Sequence, residues 1–261
     1  MQAEINAVWI GDRMGPVHAA CLRSFLDHGH KVRLHAFGPV SDAPAGVEHF
    51  DAERLMRRDE VFAYRDRGSF ALAADIYRYR ILKAGLGIYV DCDVFCLKPW
   101  PAADFLFGQE CGELVNNAVL AMPKDSALLN DLVAATSNPY FVPPWISPLK
   151  RLKHRWRIAV GRPIHVADMP WGTFGPWLLT DVLARRKLLH LAQPPDVFYP
   201  VHHVDAGRLN DPNVTLADLV TERTLGLHLW NSGISTASLL PGSVVARIAG
   251  IGAERETSPR A

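Results

Sequence analysis

Strand-like and helical segments alternate through the first half of the chain, and this alternation restricts its fold more than any other feature. Residues 5–11 have the pattern of a short buried strand and residues 31–38 that of a strand with alternating apolar side chains, and both end in glycine. Residues 18–29 between them carry apolar side chains at helical spacing. Residues 70–85 are rich in helix formers and follow Ser69, a residue type that caps helices. Strands separated by helices predict an α/β fold.

The remaining elements follow from the same patterns. A proline is tolerated in a first helical turn, so Pro176 marks the start of a helix that runs to about residue 187. We find no internal repeat and no linker, and therefore expect one domain over residues 1–252 with a flexible polar tail at 253–261. Further strands are predicted at 87–97, 116–122 and 225–235, and further helices at 51–68 and 126–136.

The bulk composition narrows the class of protein. The 261 residues are 49% hydrophobic with a net charge of +1, which fits a soluble globular protein and gives no support for nucleic acid as a partner. The sequence has no apolar run of membrane-spanning length, and we expect no signal peptide at its start. The four scattered cysteines match no zinc pattern. A reduced, cytoplasmic protein is the simplest interpretation.

Two carboxylates interrupt an otherwise apolar segment, GIYVDCDVF at residues 87–95. Side chains two apart in a strand share a face, so Asp91 and Asp93 would project together while Cys92 points into the packing. Neighbouring buried charges are costly unless a cation compensates them, and a divalent metal with oxygen ligands does so. An isolated D-x-D motif more often caps a turn or pairs with a surface arginine, but the apolar flanks argue against that here.

The helix that precedes this segment carries an acid and a base on one face. Asp75 and Arg78 are three residues apart, and Asp75 and Tyr79 are four apart, so the three side chains are neighbours on the helix. Such a pair is usually a surface ion pair. Here the helix leads through Gly85 and Gly87 into the aspartates, and we expect both groups to reach the same cleft.

The whole stretch FALAADIYRYRILKAGLGIYVDCDV resembles the sugar-binding region of D-x-D glycosyltransferases, of the type found in Och1-like mannosyltransferases, α-1,4-galactosyltransferases and glucosylating clostridial toxins. The resemblance spans some 25 residues and rests on the combination of positions, not on D-x-D alone. It departs at Leu86, where this family usually has a glycine. The matching positions are Ala74, Asp75, Arg78, Leu82, Gly87, Tyr89, Asp91 and Asp93.

Other segments are similar to the same family and occur in its order. VWIG at 8–11 resembles the strand whose tryptophan stacks on the nucleotide base, although Trp9 fits a core position equally well. NNAVLAM resembles a segment with an asparagine near the donor sugar, and we favour Asn117 over Asn116 for that role. GTFGPWLLT at 172–180 resembles a Gly-Pro helix start. HLWNSG at 228–233 resembles the element that closes over the diphosphate.

The resemblance implies a GT-A fold, which is a Rossmann-like mixed sheet flanked by helices. It implies transfer of a sugar from a nucleotide diphosphate donor to a glycan or lipid-linked acceptor hydroxyl, with retention, in surface polysaccharide synthesis. A uridine diphosphate sugar is the preferred donor, with guanosine diphosphate mannose as the alternative. Mn²⁺ or Mg²⁺ would be held by Asp91, Asp93 and His228; the alternative roles are ribose binding by Asp91 and phosphate binding by His228. Catalytic candidates are Asp91, Asp93 and Asn117; donor-binding candidates are Trp9, Asp75, Arg78, Tyr89, Asp91, Trp230 and Asn231.

Two other functions compete with this interpretation. Haloacid-dehalogenase-like phosphatases also place D-x-D after an apolar strand, but that strand normally lies near the chain start, and about ninety residues precede it here. A non-catalytic protein that binds sugar nucleotides is the second alternative, and the intact D-x-D argues against it.

One basic segment is not explained by any of these functions. Residues 150–162 contain six lysines and arginines, with Trp145 and Trp156 nearby. The ordinary interpretation is a solvated surface helix. The alternative is a patch that contacts an anionic membrane or an acidic acceptor.

Overall fold

The computed structural model describes residues 3–230 and 238–251. The strands are β1 (Ile5–Trp9), β2 (Val32–Ala36), β3 (Glu48–Asp51), β4 (Ile88–Val90), β5 (Val94–Cys96), β6 (Leu106–Cys111), β7 (Leu114–Ala121) and β8 (Gly226–His228). The helices are α1 (Pro16–Asp27), α2 (Ala71–Lys83), α3 (Ala127–Thr136), α4 (Pro148–Ala159), α5 (Pro176–Arg185), α6 (Pro195–Phe198) and α7 (Val244–Ile248).

The chain divides into two compact units, each made of more than one segment. The first unit comprises Met1–Phe50, Val90–Ala102 and Pro194–Ala261. The second comprises Asp51–Tyr89 and Ala103–Gln193.

In the first unit, β1 and β2 are parallel and α1 connects them. Ile5 lies opposite Val32, and Trp9 lies opposite Ala36. The strand order there is β3-β2-β1. Strand β1 is buried along most of its length, which explains why all of its residues but Asn6 are apolar, because a parallel strand is covered on both faces.

A second, two-stranded sheet in the same unit joins segments that are far apart in the chain. Strand β5 pairs antiparallel with β8, with Val94 opposite His228 and Cys96 opposite Gly226. Beside this sheet lies Trp100, which is 1% exposed and whose indole Nε1 donates to the Leu225 carbonyl at 2.9 Å. The buried indole therefore supports the chain where it enters β8.

The close approach of Trp100 to Gly226 gives a stability prediction. A methyl group on Gly226 would lie 2.8 Å from Cζ2 of the Trp100 ring, and the ring cannot move without losing its hydrogen bond. We expect Gly226→Ala to lower the free energy of unfolding by about 1–3 kcal/mol through overpacking. Gly207→Ala is the control, because nothing lies within 4 Å of a methyl group there. Equal urea midpoints for the two variants would contradict the prediction.

In the second unit, β6 and β7 form an antiparallel hairpin, with Leu106 opposite Ala121 and Cys111 opposite Leu114. Strand β4 is the neighbour of β7. Helix α2 buries most of its length, including Asp75 and Arg78. The parallel pair β1–β2 and the antiparallel pair β6–β7, with the helices, confirm the predicted α/β fold with mixed sheet pairing.

The predicted charged helix at 51–68 is wrong. Residues Ala52–Arg54 and Arg58–Glu60 form short 3₁₀ helices, and the rest is turn or irregular. Arg80 of α2 holds this segment, because it donates to the Leu55 carbonyl at 2.9 Å and to the Glu60 carboxylate at 2.6 Å. The hydrogen bond from Arg80 lowers the pKa of Glu60 to about 2.

Two further differences concern strands. The predicted strand at 87–97 is two strands, β4 and β5, separated at the aspartates. Strand β6 was not predicted, because LFGQEC has polar residues at Gln109 and Glu110 and no clean alternation.

Among the described residues, no helix combines the length and apolar character needed to cross a bilayer.

Candidate functional site

Asp91 and Asp93 lie in a tight turn, not along one strand. The backbone N–H of Val94 donates to the Asp91 carbonyl at 3.1 Å and closes this turn. This turn therefore brings the two carboxylates together. The sequence pattern had predicted instead that they share a face of one continuous strand. Cys92 between them is 6% exposed, and its Sγ donates to the Val8 carbonyl at 3.5 Å, so it packs inward as predicted.

The pairing of β5 with β8 brings a histidine to this turn. His228 lies opposite Val94, and the N–H of the following Leu229 donates to the Asp93 carbonyl at 2.9 Å. The His228 Nε2 atom is consequently 3.3 Å from Asp93 Oδ1. Both side chains are largely buried, with 8% of the histidine and 15% of the aspartate exposed.

Asp91, Asp93 and His228 together form a metal-type cluster. One ligand atom from each lies within 4.8 Å of the other two. Carboxylate oxygens suit Mg²⁺ and Mn²⁺, and an imidazole nitrogen is a common further ligand. The donor set therefore fits a divalent cation.

Burial and then the negative charge of Asp93 raise the pKa of the Cys21 thiol in α1 well above its usual value.

Aromatic rings fix the position of His228. The Trp230 ring packs edge-on against it, with centroids 4.2 Å apart, and the Tyr199 ring lies 5.7 Å away. The Trp230 indole N–H donates to the Val201 carbonyl at 2.7 Å. Trp230 also has a positive φ of 52°, which is rare for a bulky residue. In the structure, Trp230 thus supports the His228 ring. Asn231 lies outside the described residues.

Trp9 ends β1 and is only half-buried. Its indole N–H donates to the Arg13 carbonyl at 2.9 Å, and its ring centroid is 4.7 Å from that of His18. Part of the tryptophan surface is therefore open to solvent, which a fully buried core tryptophan would not be. Its role in base stacking stays a prediction.

The second unit holds a polar cluster around Asp75. The Asn117 amide donates to Asp75 Oδ1 at 2.8 Å, and the Arg78 guanidinium lies 3.3 Å from the same oxygen. Arg78 also donates to the Asn117 backbone carbonyl at 2.6 Å. Only 4% of the Arg78 side chain and 8% of that of Asp75 are exposed. A buried carboxylate of this kind is compensated by an ion pair and by hydrogen bonds together.

Tyr89 completes the surroundings of Arg78. The guanidinium carbon lies over the tyrosine ring, 4.7 Å from its centroid, which is a cation–π contact. Tyr89 is 1% exposed, so its position in the sequence pattern corresponds to a buried support for the arginine.

Asn116 and Asn117 have different partners, as adjacent residues on opposite faces of a strand should. The Asn116 amide donates to Glu110 at 2.8 Å, whereas the Asn117 amide donates to Asp75.

The Gly-Pro segment before α5 covers the Asp75 cluster, a contact that the sequence did not indicate. A methyl group on Gly175 would lie 3.0 Å from an Asp75 carboxylate oxygen and 3.3 Å from the Asn117 amide nitrogen. Only glycine therefore leaves the carboxylate uncrowded.

Two tyrosines make polar contacts near Asp75: the sequence placed Tyr79 on the helix face of Asp75 by its spacing, but it did not indicate Tyr64. The Tyr79 hydroxyl donates to the Phe174 carbonyl at 3.1 Å, and the Tyr64 hydroxyl accepts from the Gly172 N–H at 3.2 Å. Burial, and then the charge of Asp75, raise the pKa of both phenols, so both are neutral at ordinary pH. No sequence signal marked Tyr64 or the hydrogen-bond partner of Tyr79, because a buried tyrosine looks like any core aromatic.

Comparison with known proteins identifies part of the chain. Residues 39–112 match the model of a family described as a glycosyltransferase sugar-binding region containing a DXD motif. That span includes Asp75, Arg78, Tyr89, Asp91 and Asp93, and it ends before Asn117 and His228. The match confirms the prediction of a D-x-D glycosyltransferase.

A solved structure named PaToxG Glycosyltransferase is similar at 17% sequence identity and a TM-score of 0.46, covering 72% of this chain and 74% of that chain. The comparison with curated proteins gave no match.

Proposed function

We propose that this protein, a glycosyltransferase by its sugar-binding region at residues 39–112, is metal-dependent and transfers a sugar from a nucleotide diphosphate donor to an acceptor hydroxyl. The observation that carries the proposal is the cluster of Asp91, Asp93 and His228, whose ligand atoms lie within 4.8 Å of one another. Two of its members are the D-x-D aspartates of the matched region.

The difficult step in such a transfer is departure of the diphosphate while positive charge develops on the sugar. A divalent cation bound by the three side chains would supply a Lewis acid for the leaving phosphates. Leu229 fixes the Asp93 backbone by its hydrogen bond, and Trp230 fixes the His228 ring, so the protein groups are positioned before the donor arrives.

We assign the Asp75 cluster to recognition of sugar hydroxyls. The Asp75 carboxylate is a strong acceptor, and Asn117 and Arg78 hold it by contacts of 2.8 and 3.3 Å. Arg78 is itself committed to protein groups and lies over Tyr89, so its proposed role is to position Asp75. Asn117, whose amide donates to Asp75, is proposed to lie near the donor sugar beside the same carboxylate.

The finer features of the proposal rest on the resemblance of the sequence. They are a uridine diphosphate sugar as donor, Mn²⁺ or Mg²⁺ as the metal, a glycan or lipid-linked acceptor, and retention of configuration. A cytoplasmic location, a role in surface polysaccharide synthesis and a single catalytic domain over residues 1–252 belong to the same proposal.

The test combines binding with turnover. Thermal unfolding of the full chain is measured with uridine and guanosine diphosphate sugars, each with Mn²⁺, Mg²⁺ or a chelator. A ligand at about 100 times its Kd stabilises the native state by about 2.7 kcal/mol, so the preferred donor should raise the midpoint clearly, and only with metal. Release of the nucleoside diphosphate from that donor is then followed by chromatography.

Each competing function has a distinct outcome. Hydrolysis of a simple phosphate ester, with no response to any sugar nucleotide, would favour the phosphatase. Stabilisation by a sugar nucleotide without release of nucleoside diphosphate, with or without acceptor sugars, would favour a non-catalytic binding protein. Turnover that persists unchanged in chelator would refute the metal dependence.

A further inference from the structure

Helix α4 is an exposed helix with apolar side chains in solvent. None of its residues is buried. Leu149 is 80% exposed, Leu152 65% and Trp156 62%, and the C-cap residue Val160 is 46% exposed. Singly exposed apolar residues are ordinary, whereas a contiguous exposed apolar patch, such as four residues on one helix, marks an interaction site.

These four residues lie on one face. Their spacings of three, four and four residues place them along one side of a helix with 3.6 residues per turn. Ile158, the other exposed aliphatic residue, lies on the opposite side by the same geometry. The apolar stripe runs the length of α4, from its first turn to its C-cap.

Basic residues flank this stripe on both sides. By helical geometry, Lys153 and Arg157 lie along one edge, and Arg151 and Arg155 lie beyond the other. The sequence has no aspartate or glutamate between residues 132 and 167. In the described part of the chain, no carboxylate forms an ion pair with Lys150, Arg151, Lys153, Arg155, Arg157 or Arg162. The positive charge is therefore uncompensated.

The ends of α4 are well defined although its face is unpartnered. Pro148 occupies the first turn, and Gly161 follows the C-cap with a φ of 70°. The Arg162 N–H donates to the Arg157 carbonyl at 2.8 Å, which is the bond of a Schellman motif. Isolated helices of about 12 residues are marginal in water, so a surface that stabilises this helix is expected.

We propose that α4 binds at the surface of an anionic lipid bilayer, with Leu149, Leu152, Trp156 and Val160 among the acyl chains and the basic flanks at the head groups. The chemistry is complementary on both counts, because lysine and arginine pair with anionic head groups and tryptophan favours the interface. A second copy of the chain fits less well, since two facing α4 helices would bring like charges together. This inference does not depend on the proposed transfer reaction.

The test is sedimentation of the full chain with vesicles of phosphatidylcholine alone, or of phosphatidylcholine with phosphatidylglycerol. The protein should bind the second and not the first. Leu152→Gln with Trp156→Gln removes apolar contact and keeps the charge; Arg151→Gln with Arg155→Gln does the reverse. Each double variant should weaken binding to anionic vesicles about tenfold or more, since each basic residue near such a surface contributes a severalfold effect. Val204→Gln, at a residue 71% exposed outside α4, is the matched control and should change nothing.

Depth is measured by fluorescence quenching with brominated lipids. Wild-type emission should be quenched, and Trp156→Phe should lose that quenching while it still sediments. Donor hydrolysis in the absence of vesicles should be unchanged in all these variants, so failure here and failure of the proposed transfer reaction are distinguishable. Equal sedimentation with and without phosphatidylglycerol, or a concentration-dependent dimer that the Leu152/Trp156 variant abolishes while vesicles go unbound, would overturn the proposal.

Discussion

Replacement of Asp93 by asparagine is expected to lower the rate of donor turnover about 10³-fold. Asp93 is the residue through which the cluster is assembled, because its carboxylate faces His228 Nε2 at 3.3 Å and its carbonyl accepts from Leu229. Asparagine keeps the size and the backbone contact but removes the charge. A bound cation stabilises a leaving group by several kcal/mol, and each 1.36 kcal/mol is a factor of ten in rate, which gives the magnitude of about 10³.

The measurement is steady-state release of nucleoside diphosphate over a range of Mn²⁺ concentrations. If Asp93 binds metal, the variant should need more Mn²⁺ for half-maximal rate as well as turn over more slowly at saturation. Asp205→Asn is the control, because Asp205 is an exposed aspartate of the same unit. A variant with normal Mn²⁺ dependence and a rate within a few-fold of wild type would show that Asp93 is not a metal ligand.

The second large effect is on stability. Arg78→Met is expected to lower the free energy of unfolding by about 3–5 kcal/mol, because it leaves the Asp75 carboxylate buried without its cation. The variant also lacks the hydrogen bond that Arg78 donates to the Asn117 carbonyl and the contact of its guanidinium with the Tyr89 ring. Methionine fills a similar volume, so the cost reflects charge and hydrogen bonding more than a cavity.

A double-mutant cycle separates the pair from its surroundings. Asp75→Asn combined with Arg78→Met should cost less than the sum of the single changes, since the double variant has no uncompensated buried charge. Arg185→Met is the matched control: Arg185 pairs with Asp181 at 2.8 Å on the surface, where such pairs contribute about 0–1 kcal/mol. Urea midpoints and slopes are compared for all variants. A loss below about 1 kcal/mol for Arg78→Met would contradict the prediction, because breaking a buried pair costs more than breaking a surface pair.

Individual residues show how far the sequence leads. The α/β class followed from apolar runs separated by helical patterns, and α1, α2 and α3 lie where the periodicity placed them, within a few residues at each end. The charged stretch at 51–68 misled the prediction, because helix-forming residues there are held by Arg80 in a different conformation. Local propensity is weak, and a single long-range contact overrides it.

The candidate site shows the same division. Sequence alone identified Asp91 and Asp93 by an unusual charge pair in an apolar segment, and it identified Asp75 and Arg78 by their spacing on a helix. It assigned the wrong geometry to the aspartates, since a turn and an alternating strand give the same spacing in sequence. It gave no reason to single out Tyr64, and it placed Tyr79 beside Asp75 without identifying its partner, because the polar contacts of both tyrosines depend on a loop about a hundred residues away.

The sequence by itself determined the class of fold, the sugar-binding region and the types of residue that carry charge, because periodicity and motif spacing are local properties of the chain. Only the tertiary structure decided which of those residues meet. The register of β5 against β8 places His228 at Asp93, and the strand β7 places Asn117 at Asp75. Pairing between distant strands is fixed by packing and hydrogen bonding over the whole sheet, and no local pattern specifies it.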